Sequence, residues 1–237
     1  MAATQFFSSR RGFLLSAMPN PLSLAGIQFE PVRRGRSKRR YLHIHGDEST
    51  ARDVLREHSK AHPGRYYFIA GQQRMVRVGE LVIDPNRMFT PAGARENLAH
   101  NNRDTPSAQI DEAMALLDRD RPAFVNAALP PKGGLMVALH NNSASYSVEN
   151  EIPISDKVSL ADKEHPHEFI LATNQADFER LARGKWNVVL QKTVLQDDGS
   201  FSGLSARLGL RYCNIEAGIG NFNKQKEMLL FLEEILP

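Results

Sequence analysis

Leu135, Met136, Val137, Ala138 and Leu139 form an unbroken apolar run that ends on His140. A strand with one wetted face alternates apolar and polar residues, so an unbroken run reads as a strand covered on both faces. Such a strand needs a layer of other elements above and below it, and the rest of the chain supplies them. Strand patterns fall at 41–45, 66–70, 75–83, 169–173, 188–192 and 211–216. Helical patterns fall at 49–58, 109–117 and 176–183, and over the final stretch that Asn221 or Asn223 can cap. Residues 84–108, rich in Asn, Pro, Gly and Arg, read as a long ordered loop, and a loop of that length usually carries function. Alternating elements of these lengths predict an α/β three-layer sandwich around a mostly parallel or mixed central sheet.

Composition bounds the class. At 237 residues, 41% of them hydrophobic, the chain can bury one full core. The single Cys213 excludes an intramolecular disulfide framework and a Cys-rich structural zinc site. No apolar run approaches the ~18–20 residues of a membrane span. The net charge of +3 is unevenly distributed. Residues 1–40 hold eight Lys or Arg and one acid, Glu30, whereas the remainder holds 22 basic and 26 acidic residues. The body is therefore mildly acidic and has no basic stripe interleaved with aromatics, which argues against a nucleic-acid partner. This divides the chain into a basic leader and linker, 1–40, and one body, 41–237. Within the leader, Ser9-Arg10-Arg11-Gly12-Phe13-Leu14-Leu15 resembles the bacterial twin-arginine export motif, and Ser23-Leu24-Ala25 offers small residues for cleavage before Gly26. The expectation is export to the periplasm; an organellar transit peptide and a basic tail share the same composition.

The chemistry gathers at strand ends. His45-Gly46-Asp47-Glu48-Ser49 follows the strand pattern of Tyr41, Leu42 and Ile44 and precedes a helix. A His and a Glu three positions apart at such a junction can aim an imidazole nitrogen and a carboxylate oxygen at one point. That is two thirds of a His₂Glu zinc site, which leaves a fourth position for water. His140, closing its apolar strand, is the distant third ligand. Each residue also has a plainer reading. Glu48 can be a helix N-terminal acid favoured by the dipole, and His140 a hydrogen-bonded core histidine. Arg87 has a planar fork that fits a carboxylate and Asn86 can add a hydrogen bond, but Arg87 can equally pair with Asp84. Glu216, at the end of a late strand, can be a proton acceptor or a partner of Arg211 or Lys224.

His45-Gly-Asp-Glu48, Asp84-Pro85-Asn86-Arg87-Met88-Phe89, Leu139-His140-Asn141 and Asn214-Ile215-Glu216-Ala217-Gly218 follow one another in an order that resembles the zinc carboxypeptidase superfamily. That superfamily includes the carboxypeptidase A-like peptidases and the aspartoacylase and succinylglutamate desuccinylase deacylases. The resemblance spans roughly residues 41–236 and implies a zinc-carboxypeptidase-like fold. It implies one Zn²⁺ per chain on His45, Glu48 and His140, a substrate carboxylate on Asn86 and Arg87, and Glu216 as general base. It also implies an Arg that steadies the oxyanion, for which Arg74 and Arg77 are the nearby candidates and Arg77 is chosen.

The implied substrate is a short peptide or N-acyl amino acid with a free carboxylate, cleaved at the adjacent amide. The mobile Tyr of the carboxypeptidases has no counterpart at 190–211, and only 21 residues follow Glu216, too few for the β-rich domain usual in the deacylases. A non-catalytic protein that keeps the carboxylate pocket is the alternative from another class. Oligomeric state is not legible.

Overall fold

The computed structural model describes residues 22–143 and 145–237 of the chain. The elements run β1 (Leu22–Leu24), β2 (Ile27–Arg34), β3 (Arg40–His43), α1 (Ser49–Ala61), β4 (Gly64–Ile69), β5 (Val76–Val78) and β6 (Leu81–Ile83). After a 3₁₀ turn at Pro85–Arg87 come α2 (Pro91–Asn101), α3 (Ser107–Ala128), β7 (Met136–Asn142) and α4 (Val148–Glu151). A second 3₁₀ turn, Ile152–Ile154, leads to β8 (Lys157–Ser159), β9 (Phe169–Ala172), α5 (Gln175–Leu181) and β10 (Asn187–Leu190). The chain closes with α6 (Phe201–Arg207), β11 (Tyr212–Gly218) and α7 (Phe222–Ile235).

Nine strands form one sheet in the order β1-β2-β4-β3-β7-β11-β9-β10-β8, while β5 and β6 pair separately. The sheet is mixed rather than mostly parallel. Its middle, β4-β3-β7-β11, is parallel, and β9-β10 is parallel, but β1-β2, β2-β4, β11-β9 and β10-β8 are antiparallel.

Strand alternation sorts the core into two layers. Met136 and Ala138 of β7 pack on the face carrying Leu98 of α2, Leu117 and Phe124 of α3 and Phe201 of α6. Leu135, Val137 and Leu139 point the other way, among Val54 and Leu55 of α1, Leu181 of α5 and Leu229 of α7. The run that reads as doubly covered is doubly covered, and the architecture is an α/β three-layer sandwich.

Two expectations change. The sheet begins well before residue 41: β2 buries Ile27 and Phe29 and exposes Gln28, Glu30, Arg33 and Arg34, so these two arginines of the basic linker are solvated positions of a strand. Ala25, at φ 51°, and Gly26, at φ 87°, form the tight turn of the β1–β2 hairpin. The expected cleavage position therefore lies inside a paired element, and the Arg10-Arg11 motif lies outside the described residues. Second, 84–108 is not a loop. Thr90 caps α2 by accepting from the Gly93 amide at 3.3 Å, with Pro91 in the first turn. No helix among the described residues is long and apolar enough to cross a membrane.

Candidate metal centre

The three strands that carry the motifs, β3, β7 and β11, are neighbours in the parallel middle of the sheet. Their carboxyl ends open on the same edge, where open α/β sheets place their ligands. Register does the rest. Glu216 of β11 lies beside His140 of β7, and Gly218 beside Asn142. Period-two alternation puts His140, Asn142, Asn214 and Glu216 on one face.

His45 and Glu48 reach the same point because the chain turns sharply between β3 and α1. Gly46 permits the turn: a Cβ there would sit 2.6 Å from the Gln73 carbonyl oxygen and 2.7 Å from its nitrogen. The Gly46 amide donates to that carbonyl at 3.0 Å, tying the turn to the segment after β4. The start of α1 is locked to β7, since the Ala51 amide donates to Asn141 Oδ1 at 2.8 Å. His43 Nε2 sits 3.0 Å from the Glu48 carbonyl oxygen, and Gln225 Nε2 donates to that of His140 at 2.8 Å.

His45, Glu48 and His140 are all buried and present ligand atoms within 4.8 Å of one another. His45 Nδ1 lies 2.8 Å from Glu48 Oε1 and 3.2 Å from His140 Nδ1. His140 Nδ1 lies 3.2 Å from Glu48 Oε2, an oxygen that is buried and has no hydrogen-bond partner. On its far side His45 Nε2 lies 2.8 Å from Asp84 Oδ1. A carboxylate accepts, so Nε2 carries a proton and Nδ1 is the atom left to face Glu48 and His140. This carboxylate–histidine arrangement orients an imidazole for a metal.

Electrostatics point the same way. Burial pushes the His45 imidazole down, but Asp84 and Glu48 outweigh it and raise its pKa to about 9. Burial alone would raise Glu48; His140 and His45 overcome it and hold the carboxyl well below the usual carboxylate range. The pocket is built to stabilise positive charge at one point. Two imidazole nitrogens and a carboxylate, one of whose oxygens has no hydrogen-bond partner, fit a divalent cation of borderline softness.

Glu216 is buried beside this group. Asn214 Nδ2 donates to its Oε1 at 2.9 Å and Asn142 Nδ2 to its Oε2 at 3.4 Å. Burial raises its pKa, with His140 opposing and Glu48 adding, and the net direction is up. Of its two plainer partners, Arg211 is engaged by Asp177 through two 2.8 Å hydrogen bonds.

Asn86 and Arg87 sit in the 3₁₀ turn, whose first amides are organised by Asp84: its Oδ1 accepts from the Asn86 amide at 2.7 Å. Asn86 Oδ1 in turn accepts from the Phe201 amide at 3.1 Å. Arg87 pairs with Asp198, at 3.2 Å through Nη1, rather than with Asp84. Both residues and Glu216 border one cavity of about 540 Å³.

Arg77 is a correction. It lies on β5, its side chain is 62% exposed, and its Nη2 donates to Glu80 across the hairpin turn. Arg74 is the cation at the site, with Nη1 3.0 Å from Glu48 Oε1 and Nη2 3.9 Å from Asp84 Oδ2. Asp84, Asn142 and Asn214 are the participants that reading the sequence gave no part in the site, and Arg74 is the candidate it passed over for Arg77. Asn142 and Asn214 had a signal, each two positions along a strand from a chosen residue. Asp84 is brought in by the tertiary fold alone, which also decides between Arg74 and Arg77.

No protein-family model matches the chain, and no curated protein matches it. Among solved structures, it is similar to a succinylglutamate desuccinylase/aspartoacylase from Rhodobacter sphaeroides at 13% identity and a TM-score of 0.44, covering 88% of this chain and 59% of that one. An N-formylglutamate amidohydrolase from Ralstonia eutropha matches at 11% identity and 0.45, over 87% and 96% of the two chains. A gene product from Agrobacterium tumefaciens matches at 18% and 0.47, over 89% and 92%. The likeness is distant, and the functional reading rests on the geometry of the site.

Proposed function

We propose that the chain is a zinc-dependent hydrolase that cleaves an amide bond beside a carboxylate, in a short peptide or an N-acyl amino acid. The observation that carries this reading is the convergence of His45 Nδ1, His140 Nδ1 and the Glu48 carboxylate next to a buried, raised carboxyl group, Glu216. Zinc held by the first three supplies Lewis acidity and makes water a stronger acid.

Glu216 takes a proton from the attacking water as the carbon–oxygen bond forms. It then delivers that proton to the amide nitrogen as the carbon–nitrogen bond breaks, leaving a carboxylic acid and an amine. A raised pKa suits both halves of this transfer, since the group must hold the proton between them. Asn214 and Asn142 keep its oxygens aimed while it changes charge. Asn86 and Arg87, which border the same cavity as Glu216, hold the substrate carboxylate, the planar guanidinium of Arg87 matching it. Arg74, beside Glu48, takes the role of the cation nearest the developing oxyanion.

Zinc-loaded protein hydrolysing N-acyl amino acids, with activity lost to a chelator and restored by zinc, is the expected result. Glu216→Gln should keep its zinc and lose about 10²–10⁴-fold in kcat. Full activity in metal-free protein contradicts the reading. Carboxylate ligands that bind wild type without any turnover would favour the non-catalytic alternative.

A further inference from the structure

Glu151, at the end of α4, is a buried carboxylate that the hydrolytic reading leaves unused. Its two oxygens accept from neutral donors only, the Tyr146 hydroxyl and the Gln191 side-chain amide. It enters none of the ion pairs among the described residues. Glu151, Tyr146 and Gln191 all border the 540 Å³ cavity that reaches Glu216, within the ~300–1,000 Å³ range of small-molecule sites. The one guanidinium on that wall, Arg87, has Asp198 as its partner. The charge of Glu151 is therefore buried and has no cation of its own, an arrangement that costs stability unless something completes it.

A second, separate feature asks for the same group. Asn214 borders the cavity and is over nine-tenths buried as a residue. Its Nδ2 is committed to Glu216, and its Oδ1 has no hydrogen-bond donor. The neighbouring Asn142 Oδ1 is buried and without a donor too. A cavity bordered by a carboxylate, by an asparagine whose Oδ1 lacks a donor, and by the apolar Leu171 and Ile154 suits an alkyl chain that ends in a hydrogen-bond donor of positive charge.

We propose that the cavity takes a primary ammonium group of the substrate, held by Glu151, so that the compound cleaved is the N-acyl derivative of a basic amino acid. Arg87 would engage its carboxylate and Glu151 its amine. The inference rests on the hydrolytic reading for the bond that is cleaved; the amine subsite itself rests on Glu151, Asn214 and the cavity.

The test compares N-acetyl-L-lysine with N-acetyl-L-norleucine, which lacks only the amine, on the zinc-loaded full chain. Binding of free L-lysine and L-norleucine is measured by calorimetry in parallel. The expected result is kcat/KM about 10-fold or more in favour of the lysine compound, since a buried polar group left without its partner discriminates strongly. Glu151→Gln should bring the ratio close to one. Glu151→Asp, which keeps the charge, should retain a preference and so separate charge from packing. Equal rates and equal binding in wild type overturn the proposal, as does a preference that survives in Glu151→Gln. If neither compound is hydrolysed but L-lysine binds tighter in a Glu151-dependent manner, the hydrolytic reading fails and the amine subsite stands.

Discussion

At the scale of single residues, what distinguishes this candidate site is that its three ligand residues are held from behind. Asp84 claims Nε2 of His45 and leaves Nδ1 for the ion; His43 and Gln225 hold the backbone of Glu48 and His140. The Asp84 contact is the one most open to test. Asp84→Asn preserves shape but can present an amide N–H to Nε2, which favours the wrong tautomer. Zinc affinity, measured by competition with a chromogenic chelator, should fall about 10–100-fold. An unchanged affinity would show that the ring is oriented without Asp84. His45 and Asp84 are 39 positions apart, so no local pattern could pair them. The same is true of Arg74 against Arg77: three positions apart in sequence, they differ because the β5–β6 hairpin carries Arg77 away to Glu80.

At the scale of elements, the β3–α1 junction decides whether the ligands meet. Gly46 lies against the backbone at Gln73, with no room for a methyl group. Gly46→Ala must push the turn or that segment apart by several tenths of an ångström, displacing His45 relative to His140. The account predicts a loss of about 1–3 kcal/mol in stability from overpacking, read by urea melts, together with weakened zinc binding. Normal zinc affinity would mean the turn relaxes without moving its ligand.

These junctions were legible because apolar runs, a strand-end His and a Glu three positions later are local patterns. Helix α2 was not, since Pro91, Gly93, Arg95, Asn97 and Asn101 resemble loop composition and only Gly93, Ala94 and Leu98 are buried. Strand β2 was hidden for a related reason. Its exposed positions carry Arg33 and Arg34, and their charge masked the Ile27 and Phe29 alternation beneath.

At the scale of the whole molecule, the two core layers and the site edge carry separate titrations. His58, on α1, is buried, stacks on His62 with ring centroids 3.9 Å apart, and packs edge-on to Tyr41. Burial, with His62 and Arg39 adding, lowers its pKa to about 3 from 6.5. Between those values the unfolded chain binds the extra proton, so stability rises with pH and is lost as pH falls below 6.5. The slope from this residue is up to ~1.4 kcal/mol per pH unit. His58→Gln should have a correspondingly shallower loss of stability between neutral and mildly acidic pH, compared in chelator so that zinc does not contribute. Parallel losses in both proteins would contradict the assignment.

The fold as a whole was readable as a three-layer sandwich because doubly covered strands need layers. The choice between a mostly parallel and a mixed sheet, both open in the sequence, was settled only by the strand pairing, because residue patterns report burial and not strand direction. The sharpest claim about the molecule is that segments far apart in the chain build one metal centre. Metal content after zinc loading and dialysis, for wild type and His140→Ala side by side, tests it most directly. The account predicts about one zinc per chain in wild type and close to none in the variant. Equal zinc in both, or none in wild type, would contradict it.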